Sequence, residues 1–257
     1  MQFNESDAVE TLNADGRGAV VLLCEHASSF IPDALDGLGL SEADRTSHIA
    51  WDPGARAVSL ELSRALDAPF VAGLTSRLVY DCNRPPEDAS AMPARSETTD
   101  VPGNQSLTQA DRDARTNGIY VPFCAEVTAL LQARAAKGLG TVLVTIHSFT
   151  PVYFGKPRAV EIGILHDTDT RLADAMLAQS SALGHRVVMR NAPYGPEDGV
   201  THSLQVHGMT NGLLNVMIEI RNDLIADTNG QIKLANELLT LLRPALANLE
   251  TGARDHA

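Results

Sequence analysis

The chain has 257 residues, 44% of them hydrophobic and 20% charged, and 32 acidic against 20 basic residues give a net charge of −12. This size and composition indicate a globular protein, and the acidic balance argues against a nucleic-acid partner because phosphate binding needs a basic surface. No run approaches the roughly 18 apolar residues that a membrane-spanning helix requires, so no membrane partner is expected.

Hydrophobic patterns predict strands that alternate with helices along the chain. Residues 18–24 form a continuous apolar run, typical of a strand buried on both faces. Residues 55–66 place Val58, Leu62 and Leu66 at the four-residue spacing of an amphipathic helix. Further extended segments are predicted at 69–72, 75–80, 140–146, 160–165, 186–189 and 214–220. Further helices are predicted at 108–137, with an interruption near 117–122, at 170–183 and at 231–249.

This alternation predicts a single α/β domain over residues 1–257, built on a mostly parallel, layered sheet. Two segments, 85–105 and 191–199, lack a regular pattern. A loop of about twenty residues is long for a compact domain, and such loops are usually functional or disordered.

Polar side chains follow four of the predicted strands. The strand ends carry Glu25 and His26; Asp81, Asn83 and Arg84; His147 and Ser148; and Glu219, Arg221, Asn222 and Asp223. In open α/β sheets, ligands bind outside the carboxyl ends of the strands. We therefore expect these four strand ends to meet in one site.

The residue types at these strand ends indicate amide hydrolysis. Two neutral imidazoles and a carboxylate make an open zinc site, where the metal activates water and polarises a carbonyl. A further carboxylate can carry the proton of water to a leaving amine. Arginine forks bind a carboxylate through paired hydrogen bonds. Together they predict hydrolysis of an amide on a carboxylated substrate.

Four segments in order, HASSFIP, SRLVYDCNRP, TIHSF and IEIRND, with NAPYGPEDGVTHSLQVHG before the last, give the chain a family resemblance. Over about residues 18–225 it resembles the N-formylglutamate amidohydrolase family, and in particular its branch of predicted N-formylglutamate amidohydrolases. The resemblance implies a three-layer α/β/α, phosphorylase/hydrolase-like fold related to zinc carboxypeptidases. It also implies hydrolysis of N-formylglutamate to formate and glutamate, with other N-acyl amino acids left open as substrates.

The resemblance also implies roles for individual residues. His26 and His147 correspond to metal ligands for one divalent ion, most simply zinc. Asn83 and Arg84 correspond to the pair that binds the substrate carboxylate, and Glu219 to the general base. We also predict that Arg77 and Arg221 bind the substrate.

The third metal ligand is open at this point, because Ser29 stands where zinc carboxypeptidases carry a glutamate three residues after the first histidine. Asp52 is the preferred candidate, since it precedes a helix in a loop that could fold over the site. Glu25 and His48 are the alternatives.

Two rival interpretations and three further residues complete the predictions. Cys24 stands two residues before His26 and could serve a thiol-dependent amidase, or the arginines could serve a non-catalytic dicarboxylate-binding protein. Tyr194 is a candidate to cover the substrate, and His202 or His207 a candidate to line the site.

The predicted partner is a small anionic N-acyl amino acid. Three cysteines give no disulfide framework. The polar first sixteen residues lack the apolar run of a secretion signal. Both observations predict a cytoplasmic location.

Overall fold

The structure, a computed structural model, describes residues 8–254 of the chain. A mixed sheet forms its centre. Within that range its seven strands are β1 (Val9–Leu12), β2 (Val20–Cys24), β3 (Phe70–Gly73), β4 (Val142–Phe149), β5 (Ile162–Leu165), β6 (Val188–Arg190) and β7 (Leu214–Arg221). They lie in the order β1-β3-β2-β4-β7-β5-β6. Only β1 with β3 and β7 with β5 pair antiparallel among these strands. The sheet is mostly parallel, as predicted.

Helices cover both faces of the sheet. The α-helices of the described range are α1 (Glu42–Thr46), α2 (Ala55–Leu66), α3 (Gln109–Arg115), α4 (Val121–Ala136), α5 (Arg171–Leu177) and α6 (Thr228–Arg254). Helices α2, α5 and α6 pack on one face, and α4 packs on the other. The fold is therefore a three-layer α/β/α arrangement, as the resemblance implies.

Strand β2 shows why the central strands are continuous apolar runs. Val20 and Leu22 belong to the apolar cluster under α2 and α6, whereas Val21 and Leu23 belong to the cluster that includes Phe123 of α4. Because both faces are covered by helices, each residue of the strand is buried and none needs to be polar.

The segment 75–80 is not a strand, so that prediction is wrong. The chain turns there against two other loops: the Ser76 N–H donates to the carbonyl of Phe30, and the Arg77 N–H donates to the carbonyl of Ala50. The interruption predicted near 117–122 is real, and it takes the form of a π-helical turn at Thr116–Tyr120. The helix predicted at 170–183 divides into α5 and a 3₁₀ turn at Ser180–Leu183.

The long segment 85–105 is ordered by short elements rather than by one helix or strand. It contains 3₁₀ turns at Ala89–Ala91 and Pro102–Asn104, and a hairpin that pairs Arg95–Ser96 with Thr99–Asp100. The ends of the predicted domain, residues 1–7 and 255–257, lie outside the described residues. In the described range, no helix combines the length and apolarity needed to cross a bilayer.

Candidate active site

Two histidines meet at the carboxyl edge of the sheet. His26 follows β2 within two residues, and His147 lies near the end of the adjacent parallel strand β4. Both are buried, and their ring centroids are 4.9 Å apart in an edge-on arrangement. The structure thus brings together the two histidines that the sequence places at separate strand ends.

Asp52 completes a group of three donor atoms with these histidines. Asp52 Oδ2 lies 3.3 Å from His26 Nδ1 and 3.0 Å from His147 Nδ1, and the two Nδ1 atoms are 3.2 Å apart. Ligand atoms bound to one tetrahedral zinc ion at about 2.0–2.1 Å are roughly 3.3 Å apart. The triangle therefore has the size of one face of a zinc tetrahedron, and these side chains could hold a metal ion.

Asp52 reaches the histidines because the loop before α2 is tied to the ends of β2 and β4. The Asp52 N–H donates to the His26 carbonyl at 2.9 Å, and the Ser148 N–H donates to Asp52 Oδ2 at 3.2 Å. Gly54 has φ +83°, and a Cβ there would lie 2.5 Å from the Ile225 carbonyl oxygen. Glycine is therefore required at the turn that presents Asp52.

Carboxylates contact the outer ring nitrogens of both histidines. His26 Nε2 lies 2.7 Å from Asp81 Oδ1, and His147 Nε2 lies 3.2 Å from Glu25 Oε2. Burial lowers the pKa of each histidine, but the neighbouring carboxylates outweigh it and raise the pKa of both rings. Burial would likewise raise the pKa of Glu25, and the charge of His147 instead lowers it to about 2. Glu25, the alternative third ligand, contacts Nε2 of His147, whereas Asp52 contacts Nδ1 of the same ring. Glu25 therefore lies on the far side of His147 from the donor triangle.

Glu219 stands beside His147 in the sheet. Strand β7 pairs in parallel with β4, and the register places Glu219 opposite His147. The residue is 5% exposed, and its Oε2 atom has no hydrogen-bond partner among the described residues. Burial raises the pKa of Glu219 to about 7. A carboxyl group with that pKa can take up and release a proton near neutral pH.

These groups line a cleft of about 410 Å³. Its inner wall includes His26, Asp52, Arg77, Asp81, His147 and Glu219. Both segments without a regular sequence pattern supply the outer wall: 85–105 contributes Ser90, Pro93, Arg95, Ser96 and Glu97, and 191–199 contributes Tyr194 and Asp198. The volume lies in the range of small-molecule sites.

Two of the predicted substrate-binding arginines line this cleft. The Arg77 side chain is 32% exposed, and its guanidinium contacts Asp52 Oδ1 at 3.4 Å and Asp81 Oδ2 at 3.0 Å. Burial would lower the pKa of Arg77, but these two carboxylates raise it. Arg84 donates from Nη1 to the carbonyl of Asp198 at 2.8 Å. Arg77 is therefore a cation beside the donor triangle, and Arg84 is a second cation in the lining of the cleft.

Asn83 lines the cleft, but both ends of its amide are bonded to the backbone. Its Nδ2 donates to the Val200 carbonyl at 2.5 Å, and its Oδ1 accepts from the Ser203 N–H at 2.9 Å. These bonds tie the loop after β3 to the segment at 200–203. They use only one of the two N–H groups of Nδ2, so a contact of Asn83 with the substrate carboxylate stays a prediction.

Arg221, which the sequence analysis assigns to substrate binding, is not among the residues that line the cleft. It donates from Nε to Asp223 Oδ1 at 2.8 Å, and its Nη2 lies 3.6 Å from Glu161 Oε1. These neighbours, rather than Glu219, are its ion-pair partners. We therefore leave Arg221 out of the candidate site.

Arg158 is a cation that packs against aromatic residues of the cleft wall, and the sequence analysis gives it no role. Its guanidinium carbon lies 4.3 Å from the ring centroid of Tyr153, 4.9 Å from that of Tyr194 and 5.5 Å from that of Phe149. All three aromatic residues line the cleft. Burial raises the pKa of Tyr194 to about 12. No spacing in the sequence marks this cluster, because its members come from separate segments of the chain.

Two other candidates, His48 and Cys24, are not part of the donor triangle. His48 lines the cleft, but its Nε2 pairs with Glu97 Oε1 at 2.9 Å. Cys24 is fully buried in the apolar cluster beneath α2, and burial raises the pKa of its thiol well above the usual value. A thiolate nucleophile at Cys24 is therefore not supported.

The later histidines make contacts inside the fold rather than in the cleft. His202 Nε2 lies 2.8 Å from the hydroxyl oxygen of Tyr120, and His207 packs edge-on against Phe123.

Asp81, which contacts His26, is identified by the sequence analysis only as a polar residue at a strand end. Its place in the DCNR segment, beside the predicted substrate-binding pair, was the available signal.

Comparisons with known proteins identify the family of the chain and structures that share its fold. The model of a family described as N-formylglutamate amidohydrolase matches residues 18–226. The crystal structure of a gene product from Agrobacterium tumefaciens is 54% identical with a TM-score of 0.94, covering 97% of this chain and 100% of that one. The structure of N-formylglutamate amidohydrolase from Ralstonia eutropha JMP134 is 20% identical with a TM-score of 0.63, covering 94% and 98%, and shows the shared fold alone. No curated protein matches the sequence significantly.

Proposed function

Because the chain belongs to the N-formylglutamate amidohydrolase family, and is thereby a hydrolase of amide bonds, we propose that it is metal-dependent. Its substrate is an N-acyl amino acid with a carboxylate, such as N-formylglutamate. The observation that carries the proposal is the convergence of His26 Nδ1, His147 Nδ1 and Asp52 Oδ2 within 3.3 Å of one another. These three residues are buried. They lie beside Glu219, whose Oε2 has no hydrogen-bond partner among the described residues.

His26, Asp52 and His147 hold one divalent metal ion, for which zinc is the best fit. Two imidazole nitrogens and one carboxylate oxygen are the ligand set of zinc hydrolases that keep a coordination position open. When bound there, zinc lowers the pKa of water and polarises the carbonyl group of the substrate. The side chain of Arg77 offsets part of the negative charge that Asp52 and Asp81 bring to this region.

Glu219 acts as general base and then as general acid. It accepts a proton from the attacking water and donates it to the nitrogen of the departing amine. Its burial and its pKa of about 7 suit both steps. The water oxygen forms a bond to the acyl carbon, the carbon–nitrogen bond breaks, and the products from N-formylglutamate are formate and glutamate.

Arg84 and Arg77 bind the substrate carboxylate. Both line the cleft, and a guanidinium group binds a carboxylate through charge-assisted hydrogen bonds. Asn83 keeps the segment at 200–203 against the loop that carries Arg84, through its bonds to Val200 and Ser203.

The test is metal analysis together with an assay of formate release from N-formylglutamate. We expect one zinc ion per chain, loss of activity after chelation, and recovery on adding zinc. His26→Ala and His147→Ala should each lose the metal on dialysis. Full activity of metal-free protein would exclude the metal-dependent mechanism, and full metal content in both variants would place the metal elsewhere.

A further inference from the structure

We propose that Glu25 is a positioning residue for the metal site: its carboxylate, in ion-pair contact with Nε2 of His147 at 3.2 Å, keeps the ring proton on that side and so leaves Nδ1 free to bind the ion. This role rests on the function proposed above. The sequence analysis gives Glu25 as an alternative to Asp52 for the third metal ligand. In the structure, Glu25 instead contacts the outer ring nitrogen of His147.

The surroundings of Glu25 leave His147 as its charged partner. Its side chain is fully buried, and Oε2 lies 3.2 Å from His147 Nε2. Neither Glu25 carboxylate oxygen nor His147 Nε2 has a hydrogen bond among the described residues, so the two side chains meet as an ion pair. Because an unpaired buried carboxylate costs several kcal/mol, its position against the imidazole needs a reason beyond packing.

The two nitrogens of His147 point to different partners. Nδ1 faces the donor triangle, 3.0 Å from Asp52 Oδ2 and 3.2 Å from His26 Nδ1. Nε2 faces Glu25. A neutral imidazole carries its proton on one nitrogen only. With an acceptor at Nε2 the proton resides there, and the lone pair of Nδ1 is directed at the metal position.

Glu25 is a cleaner probe of this effect than Asp81, which contacts His26 in the corresponding way. Asp81 also binds Arg77 and accepts from the N–H of Asn83. Replacing Asp81 would therefore disturb the loop that carries Arg77 and Asn83 as well as the imidazole of His26. Glu25 has no such second ion pair in the described residues.

The first test is the zinc affinity of Glu25→Gln, measured by chelator competition. Gln keeps the size of the side chain and removes its charge. Loss of a carboxylate that orients a metal-bound histidine typically weakens metal binding about 10–100-fold, and we expect a loss of that size. The control is Glu237→Gln, which removes a carboxylate paired with Arg186 outside the cleft. Its zinc affinity should equal that of the wild type.

Equal zinc affinity of Glu25→Gln and wild type would overturn the positioning role, as would an equal loss in both variants. Failure of the wild type itself to bind zinc would instead remove the proposed function. If Glu25→Gln does not fold, ¹⁵N NMR of the zinc-loaded wild type decides the question. The proton of His147 should be on Nε2, and a proton on Nδ1 would contradict the proposal.

Discussion

At the scale of single residues, Glu219 allows the sharpest test of the mechanism. Glu219→Gln preserves the shape of the side chain but removes its ability to take a proton from water. General acid–base groups contribute about 10²- to 10⁴-fold, so we expect kcat to fall at least about a hundredfold while the variant folds and binds zinc. Steady-state kinetics measure kcat, metal analysis measures zinc binding, and thermal denaturation tests whether the variant folds. Near-normal kcat with a lower melting temperature would make Glu219 a structural residue.

Arg84 and Arg221 form a matched pair, because the first lines the cleft and the second does not. A hydrogen bond to a charged group is worth about 1.5–3 kcal/mol. Arg84→Ala should therefore lower kcat/KM about 10–100-fold on N-formylglutamate, and much less on an N-formyl amino acid amide without carboxylates. Arg221→Ala should leave kcat/KM on both substrates near the wild-type value. Equal losses on the two substrates in Arg84→Ala would indicate a role in the fold instead.

At the scale of elements, the cleft wall at 85–105 depends on a buried polar anchor. Asn104 donates from Nδ2 to the carbonyls of Leu78 and Pro93, and its Oδ1 accepts from Arg115 at 2.7 Å. Both Asn104 and Arg115 are 3% exposed. Asn104→Ala leaves these groups unsatisfied, so we expect the free energy of unfolding to fall by about 2–3 kcal/mol in urea denaturation.

The neighbouring residue supplies the control for this prediction. Gln105 is exposed, and Gln105→Ala should change the free energy of unfolding by less than about 0.5 kcal/mol. A similarly small change in Asn104→Ala would mean that the wall is held by other contacts.

The elements that sequence predicted best are those whose residues are buried on two faces. Strand β2 is a continuous apolar run, and β4 and β7 are predominantly apolar, because helices cover both sides of the sheet. Strand β1 was not predicted, since it is four half-buried residues on a sheet edge. The segment 75–80 was misassigned because Leu78, Val79 and Tyr80 are buried in a turn. Burial predicts apolar residues without fixing the backbone conformation.

The same distinction applies to the candidate site. His26, His147 and Glu219 could be predicted because each belongs to, or directly follows, a recognisable strand, and parallel strand ends converge. In the sequence, only its place in a loop before a helix favours Asp52 over Glu25 and His48 as the third ligand. Its position depends on a loop conformation that hydrophobic periodicity does not encode, set by Gly54 and a backbone bond to His26.

At the scale of the whole molecule, bound zinc should stabilise the fold. Ligand binding to the native state alone adds about 2.7 kcal/mol when the free ligand is 100 times its Kd. For a protein of this size, that free energy corresponds to a rise in Tm on the order of 5–10 °C. Differential scanning calorimetry with zinc and with chelator measures the shift. His26→Ala should abolish it, and an unchanged Tm in the wild type would contradict metal binding to the native state.

The spacing of the three candidate ligands bears on when the chain can acquire its metal. Asp52 follows His26 by 26 residues, and His147 follows Asp52 by 95. Contacts between such distant residues form late in folding, because long loops must close first. We therefore expect an ion at these three residues to bind a nearly folded chain rather than to nucleate folding. Stopped-flow folding should give the same folding rate constant with and without zinc, and a smaller unfolding rate constant with zinc.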